Sequence, residues 1–295
     1  MTIAVFFYFF FFSCVVLSHA RQFPTKRFHL DQNLTSMFDT TSFSQHFSVV
    51  WGFDHSEVSE NVIHGSGSGI RSHNNYTFGF FNSAVKLPAN YSSGVVSTFY
   101  VSNEDSFPFT HDEIDLEFLG AASGDLYIIQ TNIYSNGSTS TGREQRFKLW
   151  FDPTAGFHNY SIFWTPYHIV FFVDDIPIRE VLKSEELGED YPLKPMNVFA
   201  TIWDASQWAT DGGRSTVDYS YAPFATEYSN LILSDCHSST LAEECPSGAS
   251  SVVPQALLSE SQHHLLHWIR ANYMIYDYCE DKSRYPQALP ECRSG

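Results

Sequence analysis

Three acidic residues, Glu113, Asp115 and Glu117, stand at positions i, i+2 and i+4 of the stretch His111-Asp112-Glu113-Ile114-Asp115-Leu116-Glu117-Phe118. Side chains alternate between the two faces of a strand, so this spacing puts the three carboxylates on one face and Ile114, Leu116 and Phe118 on the other. A helix would scatter the acids around its axis. At ~3.3 Å per residue the backbones of Glu113 and Glu117 lie roughly 13 Å apart. Two glutamates leaning toward each other can bring their carboxyls to ~5–5.5 Å, the separation of a retaining glycosidase pair. One carboxylate then attacks the anomeric carbon; the other protonates the leaving oxygen and afterwards acts as base. Crowding among the acids raises the pKa of one member, as a general acid near neutral pH requires. A polar outer face is the plain alternative, but such faces mix signs, and three adjacent carboxylates without a cation repel. A calcium site is a second alternative; calcium takes several oxygens, usually from a loop, and a straight strand supplies only part of that shell. His111 reads as a supporting residue, since the acid pair fills both chemical roles.

The elements that must hold this strand read as β-structure. Ser48 to Trp51, Gly94 to Val101, Phe147 to Phe151, Ser161 to Trp164 and Ile169 to Val173 are alternating or apolar runs broken by turn residues. Asp174-Asp175 reads as a hairpin turn between Ile169–Val173 and Ile176–Val181. Many short strands and few helical stretches predict an antiparallel, all-β jelly-roll sandwich. The 27 Phe and 16 Tyr suit both a pleated core and platforms for sugar faces. After Cys236 the pattern changes. Ser238 to Ser251 reads as a linker, and Leu258, Leu265, Leu266, Ile269 and Tyr273 predict an amphipathic helix docked on the sheet. The expected division is a leader over 1–20, a catalytic sandwich over 21–235 and an extension over 236–295.

Charge and cysteines narrow the class. A net charge of −17 excludes the phosphate-neutralising surface of a nucleic-acid binder. Ala4 to Leu17 is almost wholly apolar, is too short for a comfortable span and ends in Ser18-His19-Ala20, which reads as a signal-peptidase site, although no Lys or Arg precedes it. An uncleaved anchor is the alternative; no other membrane segment is expected. Cys14 falls in the leader. Cys236, Cys245, Cys279 and Cys292 imply disulfides in a secreted chain; three connectivities are open, and the sequence-local one pairs 236 with 245 and 279 with 292. Zinc is weaker, since no two cysteines have the close spacing of a finger. The sequons Asn33, Asn75, Asn90, Asn136 and Asn159 agree with secretion. No metal or organic cofactor is expected, and the protein is read as a monomer.

His111 to Gly120 resembles the H-D-E-I-D-F-E-F-L-G signature of the plant xyloglucan endotransglucosylase/hydrolases of glycoside hydrolase family sixteen, with Leu116 in place of Phe. The resemblance runs through Gln130-Thr131-Asn132, Gly142-Arg143-Glu144-Gln145, Val173 to Arg179, Ile202-Trp203-Asp204, Trp208-Ala209-Thr210, Gly212-Gly213 and Asn272 to Cys279, and ends at Arg284-Tyr285-Pro286. It implies a jelly roll with a long open cleft and a two-disulfide extension. Glu113 would be the nucleophile, Glu117 the acid/base, and Asp115 the residue that orients the nucleophile. Gln130, Thr131 and Asn132 would border the cleft. Gly142, Arg143 and Glu144 would line the donor side, Trp208, Ala209 and Gly213 the acceptor side, and Arg284 would reach the acceptor end. Arg143 and Glu144 could instead form a surface ion pair, Trp208 could be core, and Arg284 could pair with Asp281. The implied partners are a xyloglucan donor and a xyloglucan or oligosaccharide acceptor. Ala121-Ala122-Ser123 replaces the sequon many members carry after Leu-Gly. The long segment Leu182 to Tyr191 resembles a branch holding both transglucosylases and hydrolases. A β-1,3-1,4-glucanase and a non-catalytic wall-binding lectin are the rival readings.

Overall fold

The computed structural model describes residues 34–58, 62–65, 67–122, 125–235 and 258–293. The leader, the linker and Asn33, Cys236 and Cys245 lie outside them. In chain order come a short helix α1 (Phe43–His46), then β1 (Phe47–Trp51), β2 (Ser56–Val58), β3 (Val62–Gly65), β4 (Ser68–Tyr76) and β5 (Gly79–Lys86). There follow β6 (Val95–Ser102), β7 (Glu113–Leu119), β8 (Ile128–Tyr134), β9 (Gln145–Lys148) and β10 (His158–Trp164). The last elements are β11 (His168–Val173), β12 (Ile176–Leu182), β13 (Met196–Asp204), β14 (Thr226–Asp235), helix α2 (Glu260–Tyr273) and β15 (Met274–Asp277).

These strands form two antiparallel sheets, ordered β1-β4-β13-β6-β7-β8-β9-β15 and β12-β11-β10-β5-β14-β3-β2. The expected sandwich is present, and its core lies between the sheets. Phe99, Ile114, Leu116 and Phe118 from the first sheet meet Phe81, Tyr160, Ile162 and Phe171 from the second. Every residue of β11 is buried. Its inner face meets that core. On its outer face Val170 and Phe172 pack with Leu258 and Leu266 of the C-terminal part. Cover on both faces is why Ile169 to Val173 reads as an unbroken apolar run rather than an alternating one. The turn joining β11 to β12 holds Asp174 and Asp175 at φ of 49° and 60°. Those are the left-handed values that a two-residue hairpin of type I′ demands, and short polar side chains tolerate them.

The helix starts later than its apolar stripe, because Ser259 caps it. The Gln262 amide N–H donates to Ser259 Oγ and the Gln262 side chain accepts from the Ser259 N–H, a reciprocal capping box. Leu265, Ile269 and Tyr273 enter the main core. The chain then re-enters the first sheet as β15, paired with β9. The sequence reading foresaw the helix but not this strand. The strand expected over Phe147 to Phe151 stops at Lys148, since Trp150 and Phe151 turn to pack against Tyr273 and His158, at ring separations of 5.3 and 3.6 Å. A disulfide joins Cys279 to Cys292.

Ile269 has no exposed surface. Ile269→Ala is expected to cost about 2–5 kcal/mol, the transfer loss plus an unfilled cavity. Urea unfolding checks this: the midpoint falls while the slope stays the same.

Candidate active site

Strand β7 lies between β6 and β8, and the register sets its acids in rows across the sheet. Glu113 is opposite Ser102 and Tyr134, Asp115 opposite Tyr100 and Asn132, and Glu117 opposite Thr98 and Gln130. Ile114, Leu116 and Phe118 point the other way and are buried. The acids therefore floor an open cleft of 630 Å³, whose walls include Trp203, Trp208 and Glu144.

The leader into β7 is fixed by one buried carboxylate. Asp112 Oδ1 accepts from Ser135 Oγ, the Asn136 N–H and Lys194 Nζ; Oδ2 accepts from the N–H groups of Leu193 and Lys194. Burial alone would raise this carboxyl, but the Lys194 ammonium and the three backbone donors outweigh it and hold its pKa below the ordinary aspartate value.

The three acids on the face have distinct environments. Burial, then the charges of Glu113 and Glu117, push Asp115 well above the usual carboxylate range. It shares a side-chain hydrogen bond with Glu113 that favours the protonated form of Asp115 and the carboxylate of Glu113. Glu113 is also raised by burial, against the Ser102 hydroxyl, the His111 ring and that same hydrogen bond, all of which favour its carboxylate. Burial takes Glu117 to about 7. The Gln130 hydrogen bond and Arg146 oppose the rise, while Glu113 and Glu144 add to it. A carboxyl near 7 beside an ionisable neighbour is the division between acid and nucleophile that glycoside cleavage requires.

Gln130 donates through Nε2 to Glu117 Oε2 and accepts from Arg146 Nε at 2.6 Å. Asn132 lines the cleft and accepts the Arg143 N–H at 2.9 Å. Glu144 lines it too and binds Arg284 Nη1 at 2.6 Å. That guanidinium goes to Glu144; Asp281 takes only the Arg284 backbone N–H. Gly142 sits under this pair, where a Cβ would strike both the guanidinium and the Glu144 carboxylate. Trp208 is half-buried, faces the cleft and stands 6.0 Å from Trp203.

Other expected contacts fall elsewhere. Thr131 alternates away from Gln130 and Asn132 and points into the core, where its Oγ1 accepts from Arg179 Nη1 at 2.9 Å. The Arg143 side chain is neither in the cleft nor on the surface. It is 3% exposed and binds Asp190 and Glu291, each at 2.6 Å. Ala209 is buried with Val96, Leu119 and Ala205 beneath Trp208. Gly213, at φ 83°, leaves no room for a Cβ against the Gln207 carbonyl. These two shape the loop that carries Trp208 rather than offer side chains to a ligand. Sequence reasoning missed Thr98, Tyr100 and Thr201, which line the cleft on β6 and β13. Their signal was alternation: Thr98 and Tyr100 stand two apart in β6 and so share a face. Among the described residues no group of His, Cys, Asp and Glu is arranged to hold a metal ion.

A jelly-roll sandwich with paired carboxylates in an open cleft on one sheet is the arrangement of the polysaccharide-cleaving β-sandwich enzymes. Two family models match: "Glycosyl hydrolases family 16" over residues 26–221 and "Xyloglucan endo-transglycosylase (XET) C-terminus" over residues 247–292. The chain belongs to the xyloglucan endotransglucosylase/hydrolases of glycosyl hydrolase family 16. It is 48% identical to probable xyloglucan endotransglucosylase/hydrolase protein 30 of Arabidopsis thaliana, over 77% of this chain and 68% of the relative. It is 41% identical to xyloglucan endotransglucosylase/hydrolase protein 2 of the same plant, over 85% and 88%. Among solved structures, a Bacillus licheniformis β-glucanase shares the fold at TM-score 0.51 and 24% identity, over 67% of this chain and 89% of that one. The Crh5 transglycosylase does so at TM-score 0.54 and 23% identity, over 70% and 83%.

Asp112→Asn is expected to lower stability at pH 7 by about 3 kcal/mol or more, since it leaves buried donors facing an amide. The wild-type carboxyl has a depressed folded pKa. Its contribution is therefore complete above the unfolded value of about 3.9 and is lost as pH falls toward the folded one. Urea unfolding of both proteins from pH 7 to pH 3 checks this: the gap narrows on the acid side.

Proposed function

We propose that this protein is a secreted enzyme that cleaves the β-1,4-glucan backbone of xyloglucan with retention and passes the fragment to another xyloglucan end or to water. The observation that carries the reading is the Glu113–Glu117 arrangement: two glutamates of one strand, the second held near pH 7. Glu113 attacks the anomeric carbon as Glu117 gives its proton to the departing glycosidic oxygen. This yields a covalent glycosyl-enzyme and a free chain end. The Glu117 carboxylate then takes the proton of an incoming hydroxyl, whose oxygen displaces Glu113 and restores the β-linkage. An acceptor sugar gives transfer; water gives hydrolysis. Asp115, through its proton, orients Glu113. Trp203 and Trp208 offer aromatic faces for acceptor rings, and Gln130, Asn132, Glu144 and Arg284 offer polar groups at the floor and edge.

The apolar leader and the relatives' names support a place in the cell wall, where xyloglucan is remodelled. Asn75 and Asn90 are exposed and suited to carry glycans. The Asn136 amide already serves the Glu189 carbonyl and Lys194, and Asn159 is half-buried beside Asn82.

High-mass xyloglucan incubated with the protein and a labelled xyloglucan oligosaccharide tests the reading. Label is expected to move into large polymer, accompanied by some loss of polymer size. Glu113→Ala should abolish both effects, and Glu117→Ala should slow them by ~10²–10⁴-fold. Turnover of mixed-linkage glucan but not of xyloglucan would make the protein a β-1,3-1,4-glucanase.

A further inference from the structure

Six neighbouring strands each place one residue in a single row across the cleft sheet. Thr201, Thr98, Glu117, Gln130, Arg146 and Tyr276 are successive cross-strand partners on β13, β6, β7, β8, β9 and β15. The row is bonded for most of its length. The Thr98 and Thr201 hydroxyls lie 2.6 Å apart. Gln130 Nε2 donates to Glu117 Oε2, and Arg146 Nε donates to Gln130 Oε1 at 2.6 Å. The Arg146 guanidinium lies over the Tyr276 ring at 5.0 Å, and the Tyr276 hydroxyl donates to Asp281 at 2.9 Å.

A guanidinium has donors only, whereas a glutamine amide has a donor end and an acceptor end. Arg146 therefore decides which way the Gln130 amide points. With Oε1 committed to Arg146, Nε2 must face Glu117, in either protonation state of that glutamate. Glu117 Oε2 is then always an acceptor, so the transferable proton resides on Oε1. We infer that Arg146 is the positioning residue of the acid/base: through the Gln130 amide it fixes the oxygen from which Glu117 gives its proton and to which it takes one back. Without it the amide is free to turn and to accept the Glu117 proton, which holds back the acid. Because Tyr276 belongs to the C-terminal part, the row also makes the extension a support of the acid/base. The inference rests on the acid/base role of Glu117 given above.

Other titratable groups facing Glu117 are Glu113 and Asp115 from its own strand, and Glu144, paired with Arg284, from the loop before β9. Tyr134 on β8 is the nearby phenol, and Thr98 on β6 is neutral. Arg146 is thus the cation that reaches Glu117 through a hydrogen-bond chain.

The test is the pH profile of kcat on xyloglucan with a labelled acceptor. Arg146→Leu is expected to lower kcat about tenfold at neutral pH and to move the alkaline limb up by about one pH unit, because the carboxylate loses its fixed donor. Arg146→Lys, which keeps a charged donor, should return the limb toward wild type. Gln130→Met should shift the limb in the same direction as Arg146→Leu, and the double variant by less than the sum of the two, since both act on Glu117 through one amide. Gln130→Met also carries the test if Arg146→Leu fails to fold. An unmoved limb in Arg146→Leu, or additive shifts in the double variant, would overturn the inference. Glu117→Gln separates the two readings: full turnover there removes the acid/base assignment itself, whereas a dead Glu117→Gln with an unmoved limb in Arg146→Leu removes only the role of Arg146.

Discussion

The pairing register of β7 is the constraint on which this molecule depends. Three carboxyls crowded on one strand at the floor of the cleft repel one another and resist ionisation. Each is stabilised by what the two flanking strands place opposite it. A slip of one residue would turn Glu113, Asp115 and Glu117 into the core and expose Ile114, Leu116 and Phe118. The core therefore fixes the chemistry: Leu116 and Phe118, packed against the second sheet, make the slip prohibitive. Asp112, with five donors at the strand's start, marks where pairing begins.

The C-terminal part is built into the same sheet. β15 extends it beyond β9, Arg284 reaches back to Glu144, and Glu291 reaches Arg143. Arg143 is a buried cation held by two carboxylates, one from the β12–β13 connection and one beside Cys292. Buried ion pairs contribute little net stability, yet they cost much to break. Their effect here is to specify one arrangement of three distant segments around the Asn132 end of the cleft. The Cys279–Cys292 disulfide closes the loop that carries both Arg284 and Glu291, so it limits how far either can stray.

What could be read from the sequence was local. The acid triplet, the Asp174-Asp175 turn and the α2 stripe each follow from periodicity or turn chemistry within a few residues. The parts that were not legible depend on partners far along the chain. Nothing near Arg143 reveals Asp190 or Glu291, which lie 47 and 148 residues away, so its burial could not be foreseen. Thr131 looked like its neighbours Gln130 and Asn132, but strand alternation sends it to Arg179 on the opposite sheet. β15 is short and follows a helix directly; only its pairing with β9 makes it a strand. The family resemblance supplied the cleft residues that periodicity could not, but not that the side chains of Arg143 and Thr131 are turned to buried partners.

Glu113 and Glu117 are chemically identical and only two pleats apart, so the difference between them comes from what surrounds each, Asp115 on β7 itself and the rows that cross the strand. Glu113 accepts hydrogen bonds from Ser102 and Asp115 and lies near the His111 ring, all of which favour its carboxylate. Glu117 has a single amide donor, a distant guanidinium and two like charges, and it stays near neutrality. Strands β6, β8 and β9 thus give the two glutamates different surroundings. It follows that a chain can keep the acid triplet intact and still change its chemistry, by altering Ser102, Gln130 or Arg146. The triplet makes retaining chemistry available; its cross-strand neighbours determine how it operates.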